Sequence, residues 1–436
     1  MKKLNRKVTN TAFSDSSKEF EACFTEVYGT TRWKILKKSL LHPAELVAFQ
    51  NHFSCISLAD EATLLPWFAS GTCISAYKRV EATPDASYPP PWCSPLNGLK
   101  AFYWLDAASL LPAILLDVQP GMSTLDMCAS PGGKSLVLAH QTWRPDSNIY
   151  DQTHLGPRHV SSVNAKLQGH IGGDSKSHSL ADDPKPEILK ESLSSEPGAA
   201  ISSTTTGERP LQLGSLTCNE PDTKRRQRLQ QVLNEYLPPI LAAQVRIVGQ
   251  EGDKYWARNE CDTYDRVLID APCSSDRHVM QQSLSNRGMI PSTQWTLQGC
   301  KKIADLQLQL LLSGLRCAKV GGLVVFSTCS MLPLENDKVV DRLLSRVGAN
   351  AVEVIAPGHQ SFCLHDTDLD RFGTERTKYG LLSLPDLAGW GPIYTVVIRK
   401  VGSIAKAFMG GSLGLLQPVV TSSSDEEDEQ ESQACE

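Results

Sequence analysis

The chain has 436 residues, a formal net charge of −5 and 41% apolar residues. That length exceeds one usual domain about threefold, so one large domain with appendages, or two domains, is expected. The apolar share excludes a wholly disordered or collagen-like chain. No apolar run reaches the roughly 18 residues of a membrane span, which excludes a transmembrane helix; no membrane partner is expected.

In chain order, the start Met1-Lys2-Lys3-Leu4-Asn5-Arg6-Lys7 is basic, with no acid before Asp15 and no apolar stretch of a secretory signal. It reads as a short mitochondrial presequence or as an ordinary frayed basic end. Residues 1–95 form an accessory, mainly helical region, with helices over 20–41 and 43–54 and a loop around Pro89-Pro90-Pro91.

From residue 96 to 402 strands and helices alternate. Strands are expected at 124–127, 213–218, 244–248, 265–270, 323–326, 352–355 and 394–398. Helices are expected at 134–141, 223–236 and 303–318, the last stopped by Gly321-Gly322. Continuous apolar strands alternating with helices predict an α/β fold with a mainly parallel, seven-stranded, Rossmann-like sheet covered on both faces. Residues 142–212 are rich in Ser, Thr, Gly, Pro and charge. Such a segment cannot bury enough apolar surface to offset its ordering entropy, so it reads as a disordered insertion. Residues 403–436 read as a disordered acidic tail. Seven acids and no base lie in 425–436, and without them the charge moves from −5 to +2, compatible with an anionic partner. Thirteen scattered cysteines with no CxxC pair predict reduced thiols and no structural metal.

The chemistry-bearing residues gather at strand ends, where ligands of such sheets bind. Asp126-Met127-Cys128-Ala129-Ser130-Pro131-Gly132-Gly133-Lys134 joins a strand to a helix. It does not meet the GxxxxGK[ST] pattern of a phosphate loop. Two glycines and a helix N-terminus without a phosphate cradle suit a nucleoside carboxylate such as S-adenosylmethionine. Glu220, after the second strand, is a candidate for a ribose diol; Glu251-Gly252 is a candidate for an adenine amino group. Two further clusters, Asp270-Ala271-Pro272-Cys273 and Ser327-Thr328-Cys329-Ser330, each put a cysteine at the end of an apolar strand. One buried cysteine is usually a small hydrophobe; two at neighbouring strand ends, one beside an acid, point to thiolate chemistry, with Lys134 and Arg277 as local cations.

The segments DMCASPGGKS, DAPCSSDRH and FSTCSMLPLEN resemble motifs I, IV and VI of the Sun (NSUN-type) RNA cytosine-5 methyltransferases. The likeness extends over roughly 99–141 and 213–400 and is greatest to the family's two mitochondrial branches, one acting on small-subunit ribosomal RNA and the other on a transfer RNA. The resemblance implies a class I methyltransferase with S-adenosylmethionine as cofactor and RNA as substrate, ribosomal RNA first and transfer RNA as the alternative. It also implies the mitochondrial matrix; the lack of a separate RNA-binding module leaves room for a protein partner that delivers the RNA. Cys329 would attack carbon 6 of cytosine. Asp270 would hold the base's N3 and amino edge, Cys273 would assist breakdown of the covalent intermediate, and Lys134 would line the pocket. Cys128, Ala129, Ser130, Pro131, Gly132, Gly133 and Lys134 would hold the methionine part of the cofactor, with Glu220, Arg225, Glu251, Gly252 and Asp270 completing its site. Glu220 and Glu251 stand where the family commonly has aspartate, and Ser130 where it has alanine. Two other classes remain: a DNA methyltransferase, which would use the Pro-Cys cysteine as nucleophile, and a non-catalytic RNA-binding assembly factor.

Overall fold

The computed structural model describes residues 15–144 and 214–404, apart from 60, 62, 70–72, 81–87, 349, 357–363 and 365. The expected insertion and acidic tail therefore lie almost wholly outside the described residues.

Helix α1 (Ser17–Leu41) opens the described chain. It is broken at Gly29, where φ is 73°. Phe24 and Trp33 would stand about 13.5 Å apart along an unbroken helix, yet their rings stack at a 4.9 Å centroid distance. The expected single helix is thus two halves folded over one aromatic cluster. The helix expected at 43–54 is instead a strand, β1 (Leu46–Gln50), followed by a short 3-10 turn at His52–Ser54. Short apolar runs do not reveal their period. Here Val47, Ala48, Phe49 and Gln50 are all buried, and the Asn51 side chain accepts the Phe53 amide and starts the turn. β1 lies between β3 (Ser75–Arg79) and β4 (Phe102–Asp106), and β2 (Leu64–Ala69) completes an antiparallel sheet of four strands. The front of the chain is therefore a helix plus a sheet. That sheet recruits β4, which sequence grouped with the region after residue 95.

After the short helix α2 (Leu110–Leu115) comes the main sheet. Its strands β5 (Ser123–Asp126), β6 (Ser215–Asn219), β7 (Arg246–Val248), β8 (Tyr264–Asp270) and β9 (Ala318–Thr328) pair in parallel in the order β7-β6-β5-β8-β9. β13 (Ile393–Lys400) then adds antiparallel to β9 and carries β10 (Val352–Ile355) and β12 (Leu381–Ser383), with β11 (Thr374–Arg376) outermost. The sheet has nine strands against the seven expected; the extra two are three-residue strands too short to show a period. The covering helices are α3 (Gly133–Thr142), α4 (Thr223–Tyr236), α5 (Asp276–Ser285), α6 (Leu297–Cys317) and α7 (Asp337–Val347). Gly321-Gly322 does not stop α6, which ends at Cys317. β9 begins at Ala318 and runs through the glycine pair, where its register against β8 shifts.

The parallel strands β6, β5, β8 and β9 are consecutive neighbours. The segments after Asn219, Asp126, Asp270 and Thr328 therefore emerge side by side at one edge, which is what brings the sequence motifs together.

Candidate functional site

A cavity of about 240 Å³ opens at that edge, lined among others by Asp126, Cys128, Ala129, Ser130, Pro131, Gly133, Lys134 and Asp270. Tyr103, Leu105 and Ser109, from β4 and the turn after it, close its other side. The first motif is shaped by its turn. Gly132 has φ 116°, the left-handed region that L side chains avoid, and delivers the chain into α3. Ser130 Oγ donates to the Arg225 carbonyl at 3.0 Å, and the Arg225 guanidinium donates to the Ser130 carbonyl at 3.2 Å. The loop is thereby fastened to the start of α4.

Asp126 ends β5 and is fully buried. Its Oδ2 accepts from Ser135 Oγ at 2.7 Å, while its Oδ1 has no hydrogen-bond partner. Burial, reinforced by the nearby Asp270 carboxylate, pushes its pKa up to about 7. Cys128 lies beside it. Burial, then Asp126, Asp270 and Glu220, push its thiol above the usual range, which disfavours the thiolate.

Asp270 ends β8 and is held twice. Lys134 Nζ donates to Oδ2 at 2.8 Å and Ser327 Oγ to Oδ1 at 2.8 Å. Next to it the two motif cysteines meet. Cys273 and Cys329 have Cα atoms 6.2 Å apart and their sulfurs are joined as a disulfide; the Cys329 amide lies 3.1 Å from Cys273 Sγ. This pair departs from the expected reduced thiols because adjacent parallel strands end at a separation within the natural disulfide range. Ser275, at φ 56°, puts its Oγ 3.4 Å from Cys329 Sγ. Sequence reading did not single out Ser275; its left-handed backbone is invisible in composition.

The remaining expected residues sit around this centre. Glu220 is buried rather than facing a solvated cleft. Its Oε1 accepts the Asp222 amide at 3.0 Å and its Oε2 pairs with Arg225 at 3.3 Å, while Asp222 itself caps α4. Glu251 is exposed. Gly252 is buried, and a Cβ there would stand 2.6 Å from Leu310 Cδ2 and 3.6 Å from Met127 Cγ, so the backbone after β7 closes against the first motif. Arg277 does not serve the thiols: its guanidinium donates to the carbonyls of His42, Gly389 and Gly391 and fastens α5 to neighbouring loops.

The residues present fit an adenosyl amino acid. Asp126 lines the cavity and has a buried carboxylate oxygen without a partner; a ligand ammonium reaching that oxygen would relieve a desolvation cost of about 1–3 kcal/mol. The doubly wound sheet with an antiparallel strand beside β9 and a glycine turn after its first parallel strand is the Rossmann-like fold of the class I methyltransferases.

Comparison with known proteins narrows that class. The model of the family "16S rRNA methyltransferase RsmB/F" matches residues 197–366. The chain is 29% identical over 317 residues to the 5-cytosine rRNA methyltransferase NSUN4 of Xenopus laevis, covering 70% of this chain and 57% of that protein. It is 30% identical over 328 residues to the Bos taurus protein of the same name, covering 71% and 62%. It is 29% identical over 304 residues to the mitochondrial tRNA (cytosine(34)-C(5))-methyltransferase of Danio rerio, covering 70% and 62%. The crystal structure of NSun6 from Pyrococcus horikoshii with SFG shares the fold at a TM-score of 0.52 and 14% identity, covering 90% of this chain and 99% of that one. The chain is similar to the Sun (NSUN-type) methyltransferases along most of its length. It spans 57 to 66% of the length of the first three curated relatives named for it.

Proposed function

We propose that the chain is an S-adenosylmethionine-dependent RNA cytosine-5 methyltransferase. The observation that carries this reading is the meeting of Cys273 and Cys329 just beyond the strand ends that carry Asp270 and Ser327, with the Lys134–Asp270 pair lining the adjoining cavity. The loop Cys128 to Gly133 holds the methionine part of the cofactor and Asp126 Oδ1 its ammonium. Glu220, supported by Arg225, takes the ribose; Glu251 and Gly252 flank the adenine; Asp270 completes the site. Bound there, S-adenosylmethionine supplies an electrophilic methyl group on a sulfonium.

The chain's own groups do the rest on the reduced cysteine pair. The Cys329 thiolate adds to carbon 6 of an unstacked cytosine, and the former C5–C6 π pair makes carbon 5 nucleophilic. Asp270, oriented by Lys134 and Ser327, accepts the amino N–H of the base and, in its protonated form, gives its proton to N3 as negative charge develops there, taking it back when the ring is restored. After methyl transfer the proton on carbon 5 passes to the Cys273 sulfur. Its electron pair restores the C5–C6 double bond, the C6–S bond breaks, and Cys329 leaves as thiolate.

Ribosomal RNA is the substrate supported by the relatives named for it, with transfer RNA as the alternative. A mitochondrial site of action is supported by a relative named as mitochondrial. A protein partner that presents the RNA belongs to the same reading.

The test is transfer of labelled methyl from S-adenosylmethionine to carbon 5 of cytosine in RNA, read by bisulfite sequencing. The chain methylates, Cys329→Ala does not, and Cys273→Ala stalls as a covalent protein–RNA adduct on a denaturing gel. Binding of cofactor and RNA with no methyl transferred by the reduced chain contradicts the reading in favour of an assembly factor.

A further inference from the structure

Helix α6 buries Cys300, Ala304, Leu308, Leu310, Leu311 and Leu312, and among them lies Gln307, fully buried. A buried amide is costly unless its hydrogen bonds are made. Gln307 Nε2 makes two: it donates to the Pro272 carbonyl at 2.9 Å and to Glu335 Oε2 at 3.0 Å. The same Glu335 oxygen accepts the Ser274 amide at 3.0 Å. Pro272 and Ser274 flank Cys273, so the two side chains grip the backbone on both sides of that cysteine. Glu335 is itself fully buried, and its other oxygen accepts Ser330 Oγ at 3.1 Å, on the residue after Cys329. Neither side chain lines the cavity at the strand ends. Gln307 Oε1 is left without a partner, a cost that a leucine or methionine filling the same space would not carry.

We propose that Gln307 and Glu335 are positioning residues that hold Cys273 where it can accept the carbon-5 proton, so that their loss slows release of the methylated base and not its attachment. The inference rests on the roles given above to Cys329 and Cys273. The geometry favours release because Gln307 holds the Pro272 carbonyl directly and supports Glu335, which holds the Ser274 amide, so the two together fix both neighbours of Cys273. Cys329 is reached only through Ser330. Displacing the Cys273 backbone leaves thiolate addition and methyl transfer intact, while the proton on carbon 5 loses its acceptor and the C6–S bond persists.

The test uses the full chain, reduced, with unmodified RNA and S-adenosylmethionine. Adduct formation and adduct release are timed separately on denaturing gels. Gln307→Met keeps the volume and removes the donor; it should slow release about tenfold or more, the loss expected for one hydrogen bond to a charged group. Adduct formation and cofactor affinity should stay within about threefold. In a Cys273→Ala background Gln307→Met should slow release no further, because the residue through which it acts is gone. If thermal melting shows Gln307→Met to be unfolded, Glu335→Gln, which keeps size and one acceptor oxygen, carries the same comparison. Wild-type release in a folded variant, or a further slowing of the Cys273→Ala chain, overturns the inference while the functional reading stands. Normal release by Cys273→Ala alone, a control that leaves Gln307 untouched, overturns the functional reading and the inference with it.

Discussion

Asp126 shows how one side chain can report a ligand. Its carboxyl is buried, its pKa is pushed up to about 7 by burial and by Asp270, and one oxygen lacks a partner. A raised carboxyl pKa means the folded apo chain keeps this proton where the unfolded chain has lost it. Its contribution to stability is therefore present below the unfolded value near 4 and is lost as pH rises toward about 7. Binding of a cofactor ammonium requires the carboxylate. Cofactor affinity should therefore fall as pH drops below about 7, approaching tenfold per pH unit, and be flat above it. Calorimetric titration across pH 5.5–8 checks this: Asp126→Asn should bind more weakly, with the dependence below 7 flattened, and an unchanged profile would remove Asp126 from the site. Motif spacing pointed correctly to Cys128 to Lys134, Asp270, Cys273 and Cys329 as neighbours, because each follows an apolar strand. It could not reveal Gln307 or Ser275, whose roles rest on contacts across 35 and 54 positions of sequence. Nor could it show that Arg277 and Glu220 are engaged with backbone groups, since a charged residue near a motif looks the same whichever way it turns.

Among the elements, the parallel strands were legible because their apolar runs are continuous, and 223–236 and 352–355 were placed with their observed bounds. The segment 43–54 was misread because four consecutive buried residues, Val47 to Gln50, carry no period. The junction of the 142–212 stretch is informative from its flanks alone. Trp143 Nε1 donates to the Gly214 carbonyl at 3.1 Å, so the chain leaves α3 and returns toward β6 at one point. Closing such a gap with a short linker costs little, because loop entropy grows only slowly with length. Replacing residues 145–210 by about eight Gly and Ser residues should leave the melting temperature within about 3 °C and cofactor affinity within a few-fold. Differential scanning calorimetry and titration check this, and loss of folding would give the segment a structural role.

At the scale of the whole molecule, the front sheet and the main sheet share one core. Phe49, Phe53 and Phe68 pack in the same buried cluster as Leu136, Leu216, Leu233 and Trp390. The Asn51 side chain donates to the Lys100 and Tyr236 carbonyls at 2.7 and 2.8 Å, tying β1 to the end of α4. Such a shared core should unfold as a unit, so calorimetry of the apo chain should show a single endotherm; two separated endotherms would make the front an independent domain. This rigid body sets the strand ends side by side and so lets Cys329 and Cys273 divide one reaction between them. The most direct measurement of that division is to trap the reduced chain with RNA containing 5-fluorocytosine and S-adenosylmethionine, then map the cross-linked peptide by mass spectrometry. The account predicts attachment at Cys329, undiminished in Cys273→Ala and abolished in Cys329→Ala; attachment at Cys273 would contradict it.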